Sequence, residues 1–249
     1  MKIERYLPAD LLKPYIKAFM IIESIDGMVN QILPDTAVVM AFRYKGLIED
    51  SGCVLPAATI SGLRNSPRLI SYQEDTAALL VIFKAGGAAA FFKQPMNELF
   101  QSSVSLDELI DCTEVEERLS LAVCTSERIA IVERFLLSLL KGQQDGLVLD
   151  AIHQIRYAKG DLRIKSLAGG LNISQDAFEK RFRKMTGTSP KQFAVTVRLR
   201  SIIEQYTKPD SLTAVAHSAG YFDQAHFIKD FRSFTGQTPQ SFFTSPVFW

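Results

Sequence analysis

Residues 177–193 read AFEKRFRKMTGTSPKQF and residues 226–242 read HFIKDFRSFTGQTPQSF. Set 49 positions apart (177 to 226), the stretches share Phe178/Phe227, Lys180/Lys229, Phe182/Phe231, Arg183/Arg232, Thr186/Thr235, Gly187/Gly236, Pro190/Pro239 and Phe193/Phe242. Self-similarity at a fixed offset marks two copies of one supersecondary unit. In each copy two phenylalanines lie four apart, on one face of a helix, while a lysine and an arginine fall away from that face. The rings predict a core seam, and the cations predict a side turned toward a polyanion.

Working outward, the whole region after residue 146 reads as helical. Leu147–Ala158 is a first helix with Leu149, Ile152 and Ile155 on one face, ended by Gly160-Asp161. Ile164–Leu171 follows, with Leu167, Ala168 and Leu171 inward. Asn172 stands where a left-handed residue is wanted, and Ser174 is placed to N-cap a helix running to about Met185. Pro190 suits a helix start, where its missing N–H has no cost, and the helix to about Tyr206 is long enough to bridge two units. The scheme then restarts: Ser211–Ala219, a turn at Gly220, Asp223–Phe234 and Pro239–Thr244. Helix, tight turn, helix, with small residues at the crossing (Ala168 and Asn172, then Ala216 and Gly220), is a helix-turn-helix pattern.

With the rings inward, the outward side of the first unit carries Gln175, Asp176, Glu179, Lys180 and Arg183, and that of the second Gln224, Ala225, His226, Lys229 and Arg232. A helix laid in the major groove presents such residues to base edges and phosphates. A solvated charged face is the alternative for one such helix; two matched copies with a bridging helix favour DNA. Asp176 and Glu179 could accept from cytosine N4 or repel phosphate, and Asp176 could simply favour its helix N-terminus. Gly169-Gly170 weakens its helix by up to about 1 kcal/mol per glycine relative to alanine.

The segment from Ile164 to Phe242 resembles the AraC/XylS-type transcription regulators. The resemblance rests on Leu212-x-x-Val215-Ala216-x-x-Ala219-Gly220-Tyr221-Phe222-Asp223-Gln224-Ala225-His226-Phe227-x-x-x-Phe231-Arg232-x-x-x-Gly236-x-Thr238-Pro239-x-x-Phe242, with Leu212 where isoleucine is common. It implies a domain of two helix-turn-helix units joined by a long helix, bound to double-stranded promoter DNA through successive major-groove segments. Position by position it implies base reading by Gln175, Asp176, Glu179 and Lys180, and by Gln224, Ala225, His226 and Lys229. Ser174, Arg183 and Arg232 complete the expected DNA-binding set. RNA polymerase, a small-molecule effector and a second copy of the chain are further partners that it allows.

The first part, to about residue 85, is strand-like: Tyr15–Ile25, Met28–Leu33, Thr36–Tyr44, Arg68–Gln73 and Ala77–Lys84 are β-branched and aromatic, separated by turn signals such as Asp26-Gly27 and Lys45-Gly46. Short strands at close spacing predict a small antiparallel sheet or barrel. Short helices follow at Gly87–Phe92 and Pro95–Phe100. Ser105 is placed to cap against the Glu108 N–H. Amphipathic helices are expected over Val115–Val123 and Ser126–Leu140, the latter with Ile129, Val132, Leu136, Leu139 and Leu140 as its stripe. Lys141–Gly146 is polar and glycine-bearing, the best boundary between an N-terminal β-rich domain (1–142) and a C-terminal all-α domain (146–249), an α+β chain.

Charge divides the same way. Residues 149–249 hold 14 Lys+Arg against 8 Asp+Glu, and the rest 14 against 19, within an overall net charge of +1. One half suits a polyanion and the other does not. His153, His217 and His226 all follow residue 150, so the N-terminal half has no imidazole for a cupin-type metal site or a Ser-His-Asp triad. Cys53, Cys112 and Cys124 show no C-x-x-C spacing and read as reduced, buried small side chains. No enzyme, metal or cofactor is expected. The longest apolar stretches are too short to span a bilayer and no secretory pattern opens the chain, so it reads as soluble and cytoplasmic, with no membrane partner. In the N-terminal half Arg43, Arg64 and Arg68 are candidate anchors for an anionic effector, each otherwise a solvated surface residue. The Ser126–Leu140 stripe is either core or a dimer contact.

Overall fold

The computed structural model describes residues 2–142, 144–206, 215–217 and 219–244. Its N-terminal part is an antiparallel sheet of β1 (Lys2–Tyr6), β2 (Ile16–Ile32), β3 (Val39–Lys45), β4 (Ile48–Asp50), β5 (Cys53–Val54), β6 (Ala58–Ser61), β7 (Arg68–Phe83) and β8 (Ser103–Ser105). The strand order is β1-β2-β7-β3-β6-β8, with β4 also on β7 and β5 on β4. The expected breaks at Asp26-Gly27 and before Ala77 are absent. The gap read between Gln73 and Ala77 lies opposite the Asp26-Gly27 turn signal, Asp26 in register with Glu74, and the ladder runs on past both from Ile16/Phe83 to Ile32/Arg68. Bulges after Ile16 and after Arg43 add to the curl.

Alternation gives the sheet two different faces. Phe19, Ile21, Met40, Phe42, Leu79, Val81 and Phe83 point into a core covered by helices. Ala18, Met20, Ile22, Ala41, Leu80 and Ile82 point to the other, concave side. The expected short helices are 3-10 turns at Ala88–Ala90 and Met96–Leu99. Ser105 makes no side-chain cap, contrary to expectation. Helices α1 (Thr113–Leu121) and α2 (Thr125–Leu139) follow; Val132 and Leu136 of the α2 stripe are buried, with Ile129, Leu139 and Leu140 packed against them, so this stripe is core.

The remaining helices are α3 (Gly146–Tyr157), α4 (Ile164–Gly170), α5 (Gln175–Thr186), α6 (Pro190–Gln205), a helical segment at 215–217, α7 (Gln224–Thr235) and α8 (Pro239–Thr244). Most of the helix expected over Ser211–Ala219, with Leu212, lies outside the described residues. On α3 the buried face is Val148, Ala151, Ile152 and Ile155; Leu149 faces out, because the fuller i, i+3, i+4, i+7 stripe begins one residue earlier. Cys112 is buried as expected, but Cys53 and Cys124 are exposed.

The two copies of the repeat sit on different cores. Phe178, Phe182 and Phe193 belong to the same core as Phe83, Phe91 and Met96 of the N-terminal part. Phe227, Phe231, Phe234 and Phe242 form a separate core with Leu199, Ile202, Tyr221 and one N-terminal residue, Leu33.

Candidate nucleic-acid interface

Each head is built by the same local chemistry. Ser174 accepts from the Ala177 N–H at 3.4 Å, and Asp223 from the His226 N–H at 2.7 Å, satisfying a donor that the first helical turn leaves open. Phe178 meets Phe182 edge-on with centroids 5.6 Å apart, and Phe227 meets Phe231 at 5.5 Å. At the other end Thr186 and Thr235 each lie 2.8 Å from the carbonyl one turn back (Phe182, Phe231), and each accepts from the backbone N–H two residues on. Gly187 (φ 93°) and Gly236 (φ 79°) then close both helices in the left-handed region. The identical Thr-Gly pair in the repeat is thereby explained: it is a stop signal, made twice.

On the first head Ser174, Gln175, Asp176, Lys180 and Arg183 are exposed and Glu179 is half-buried. Glu179 is already engaged. Gln175 donates to it at 3.0 Å and Arg183 at 3.3 Å, and these bonds hold its carboxyl below the usual range, the Gln175 bond most. Lys180 carries no such tie. Arg181 points the other way, donating through Nε (2.6 Å) and Nη2 (2.7 Å) to Asp145, the N-cap of α3. On the second head Gln224, Ala225, His226, Lys229 and Arg232 are all exposed. His226 sits 3.5 Å from Asp230 and edge-on to the Tyr221 ring at 5.4 Å.

Helix α6 sets one head against the other. Its Arg198 donates to the Gly160 carbonyl at 2.7 Å, behind the first head, and lies 5.2 Å over the Tyr221 ring of the second. Gly220 (φ 74°) lets the second head's turn close on Asp161, which a Cβ there would meet at 2.5 Å. A cleft of about 760 Å³ runs between the heads, and both Gln175 and His226 line it. The first turns of the two reading helices therefore open toward one shared space. Arg163, Lys165 and Lys191 line it too; no motif flagged them, although Lys191 directly follows the Pro190 helix start.

Phe222 is another residue that sequence reading passed over, and it is 92% exposed. A residue just before an N-cap normally packs down on the first turns. Its repeat equivalent, Ile173, does so. In the second head Tyr221 takes that place, 5.4 Å from Phe227, which leaves Phe222 in solvent.

The expected effector arginines divide. Arg64 and Arg68 converge on Asp50 (3.3 and 3.2 Å) and on Ser103 (3.1 and 3.0 Å). Arg68 and Arg43 line a cavity of about 420 Å³ on the concave side of the sheet; Arg64 does not. Arg43 donates to the Gly46 carbonyl, and its buried Nε has no partner. Of possible metal ligands among the described residues, Asp107, Cys112 and Glu116 lie together. Burial pushes the Cys112 thiol up, and it donates to Asp107 at 3.0 Å. No described helix is long and apolar enough to cross a membrane.

Residues 167–245 match a family model for a helix-turn-helix domain, and residues 4–105 match a domain of unknown function, DUF6597. The Msm operon regulatory protein of Streptococcus mutans is 26% identical over 163 residues, covering 64% of this chain and 56% of that protein. The HTH-type transcriptional activator RhaS of Pectobacterium carotovorum is 23% identical over 188 residues, 72% of this chain and 66% of that one. An uncharacterized HTH-type regulator of Haemophilus influenzae is 29% identical over 115 residues, 45% of this chain and 37% of that one. The chain spans about half the length of the curated relatives it matches. Among solved structures, ToxT from Vibrio cholerae covers 97% of both chains at 13% identity and a TM-score of 0.44, a likeness too loose to carry a ligand or a residue role across. Residues 167–245 therefore carry a helix-turn-helix domain, and the curated relatives that the chain is similar to are named as transcription regulators.

Proposed function

We propose that the chain binds double-stranded promoter DNA sequence-specifically, with α5 and α7 entering successive major-groove segments on one side of the duplex. Residues 146–249 form the DNA-binding part and 1–142 the part that governs it. The observation that carries this reading is the common cleft: Gln175 and His226, at the starts of two helices with the same caps and the same ring seam, line one space. Lys180 and Lys229 are the exposed cations at matching repeat positions. They contact guanine or phosphate, and Arg183 and Arg232 the backbone. Glu179, held by Gln175 and Arg183, orients those two side chains more than it reads a base itself. RNA polymerase contact and residence in the cytoplasm belong to the same reading.

Selection of bound duplexes by the full chain, followed by footprinting, tests it. Lys180→Ala or Lys229→Ala weakens binding by about 1–3 kcal/mol if the lysine reads guanine. A lysine on phosphate instead lowers affinity across all sequences and reduces the salt slope by about 1. Unchanged protection with both variants would remove these two side chains from the interface. Binding that is insensitive to salt would favour a protein partner for the same helices.

A second reading concerns the N-terminal part, and the cavity favours it. An apolar-walled space with Arg43 and Arg68 on its lining suits a small effector. Self-association remains an alternative through surfaces other than the α2 stripe, and light scattering on the intact chain addresses it.

A further inference from the structure

The two heads repeat their cations but not the residues between them. Lys180/Lys229 and Arg183/Arg232 match across the 49-position offset (177 to 226). Ile173, Asp176 and Glu179 of the first head stand against Phe222, Ala225 and Ile228 of the second. Residues three apart on a helix are neighbours, so Ala225 and Ile228 adjoin on α7. Phe222 directly precedes Asp223, the N-cap of the same helix, whose carboxylate folds the turn onto the His226 N–H.

In the first head this row is polar where solvent reaches it. Ile173 packs against the core, Asp176 is exposed and Glu179 is half-buried. In the second head it is apolar throughout. Tyr221 takes the inward place beside Phe227, and Phe222 is left in solvent. Ala225 is exposed, and Ile228 is half-buried against the second core. Ala225 and Ile228 share one surface hollow with Lys229 and Arg232. No carboxylate falls between Gln224 and Lys229 in the sequence.

The major groove offers an apolar side chain little to cover except the C5 methyl of thymine, and alanine and phenylalanine are residue types that cover it. A carboxylate accepts from the cytosine amino group instead. Apolar residues scattered singly over a surface carry no meaning. Here three lie within seven positions, beside the lysine and arginine that the DNA reading places on the duplex. The hollow joins apolar side chains to cations, as a thymine-bearing strand joins methyl groups to phosphates.

We propose that the second head reads thymine methyl groups through Phe222, Ala225 and Ile228, so that the duplex segment under α7 is thymine-bearing and recognised by apolar contact, whereas the segment under α5 is not. The inference rests on the DNA-binding reading above and adds the base chemistry of one head. Lys229 and Arg232 hold the strand, and the apolar row decides which base edge can lie against it without stranding a polar group. A cytosine in that place turns its amino donor toward three side chains that cannot accept.

Duplexes selected by the full chain are the probe, and footprints of Lys180→Ala and Lys229→Ala assign each segment to its head. Replacing single thymines by deoxyuridine deletes the methyl and keeps the base pair. At least one such replacement under α7 is expected to weaken binding by about fourfold, the loss for one buried methyl, and none under α5. In Phe222→Ser or Ala225→Ser, with melting matched to the parent, the loss at one of those thymines disappears. Deoxyuridine tolerated throughout the α7 segment, or costly to the same degree in parent and both variants, overturns the inference and leaves the DNA reading standing. Equal losses under both heads overturn the contrast between them. Variants that bind and discriminate as the parent does, yet fail in transcription with RNA polymerase, assign the row to a protein partner and overturn it too. No selected duplex overturns the DNA reading, and this inference with it.

Discussion

The same substitution at matched repeat positions is expected to have different reach. Phe182 and Phe231 are both fully buried and both close the seam of a reading helix. Phe182 meets Phe178 and Phe193 at 5.6 and 5.3 Å; Phe231 meets Phe227, Phe242 and Phe243 at 5.5, 5.4 and 5.4 Å. Truncating either to alanine removes a buried ring and costs about 3–5 kcal/mol. Against a total stability of about 5–15 kcal/mol, that is a large loss for the unit that bears it. For Phe182→Ala the unit includes the sheet, since its core continues through Phe83, Phe91 and Met96. For Phe231→Ala it is the second head, whose core takes only Leu33 from the N-terminal part. Calorimetry should therefore give one transition, moved down, for Phe182→Ala, and two for Phe231→Ala, with the upper one near the wild-type temperature. Hydrogen exchange should lose protection in β2, β7 and α5 together in the first variant, and in α7 and α8 alone in the second. A single lowered transition for Phe231→Ala, with strand amides unprotected in step, would refute the separation of cores.

Other expectations are smaller. Gly220→Ala forces a side chain into the left-handed region and against Asp161, and should cost about 1–2 kcal/mol in a melt, with Asp161→Gly relieving only the contact. Thr235→Val removes the hydroxyl that accepts the Gln237 N–H in a part-buried site, and should cost about 1–3 kcal/mol; an unchanged melt would show water replacing it. Phe222→Ser should leave stability within about 0.5 kcal/mol, because the ring is in solvent. The bond from Arg181 holds the Asp145 carboxyl below the usual range, so its folded value is depressed. Its stabilisation is therefore full above the unfolded carboxyl's range and is lost as pH falls through the folded value. Stability of Asp145→Asn measured from neutral pH down to acid should fall off less steeply below about pH 4 than that of the parent.

Legibility followed the kind of physics each feature obeys. The reading helices were legible because each rule bearing on them is local: a cap one turn from its donor, rings four apart, a glycine at the stop, and a second copy repeating all of it. The strands were legible as strands, yet their ends were not. Asp26-Gly27 read as a turn and residues 74–76 as a gap between strands, and only their pairing across the sheet keeps both strands unbroken. The cavity left no trace in the sequence at all. It is an absence of volume, made where small side chains such as Ala18, Ala41 and Ala57 fall on the concave side, and no spacing rule announces a void. Arg64 shows the limit of reading a residue by type. It has the right charge and shares Asp50 with Arg68, yet Arg68 lines the cavity and Arg64 does not.

These two kinds of legibility bear on how the proposed function can work. A head specified by local rules keeps its shape whatever it is packed against, so what the rest of the chain can alter is where a head stands and how firmly. The first head has little freedom in that respect, because its rings complete the core that the sheet needs. The second has its own core, one hydrophobic residue and a few hydrogen bonds tying it to the sheet, and a bridging helix that carries Arg198 at one contact and Arg200 at another. On the function proposed above, docking two heads on one duplex requires their relative position to be right, since misplacing either forfeits its contacts together. In that reading, control of affinity needs no change in the side chains proposed to contact bases: a modest shift of the loosely held head relative to the fixed one is sufficient.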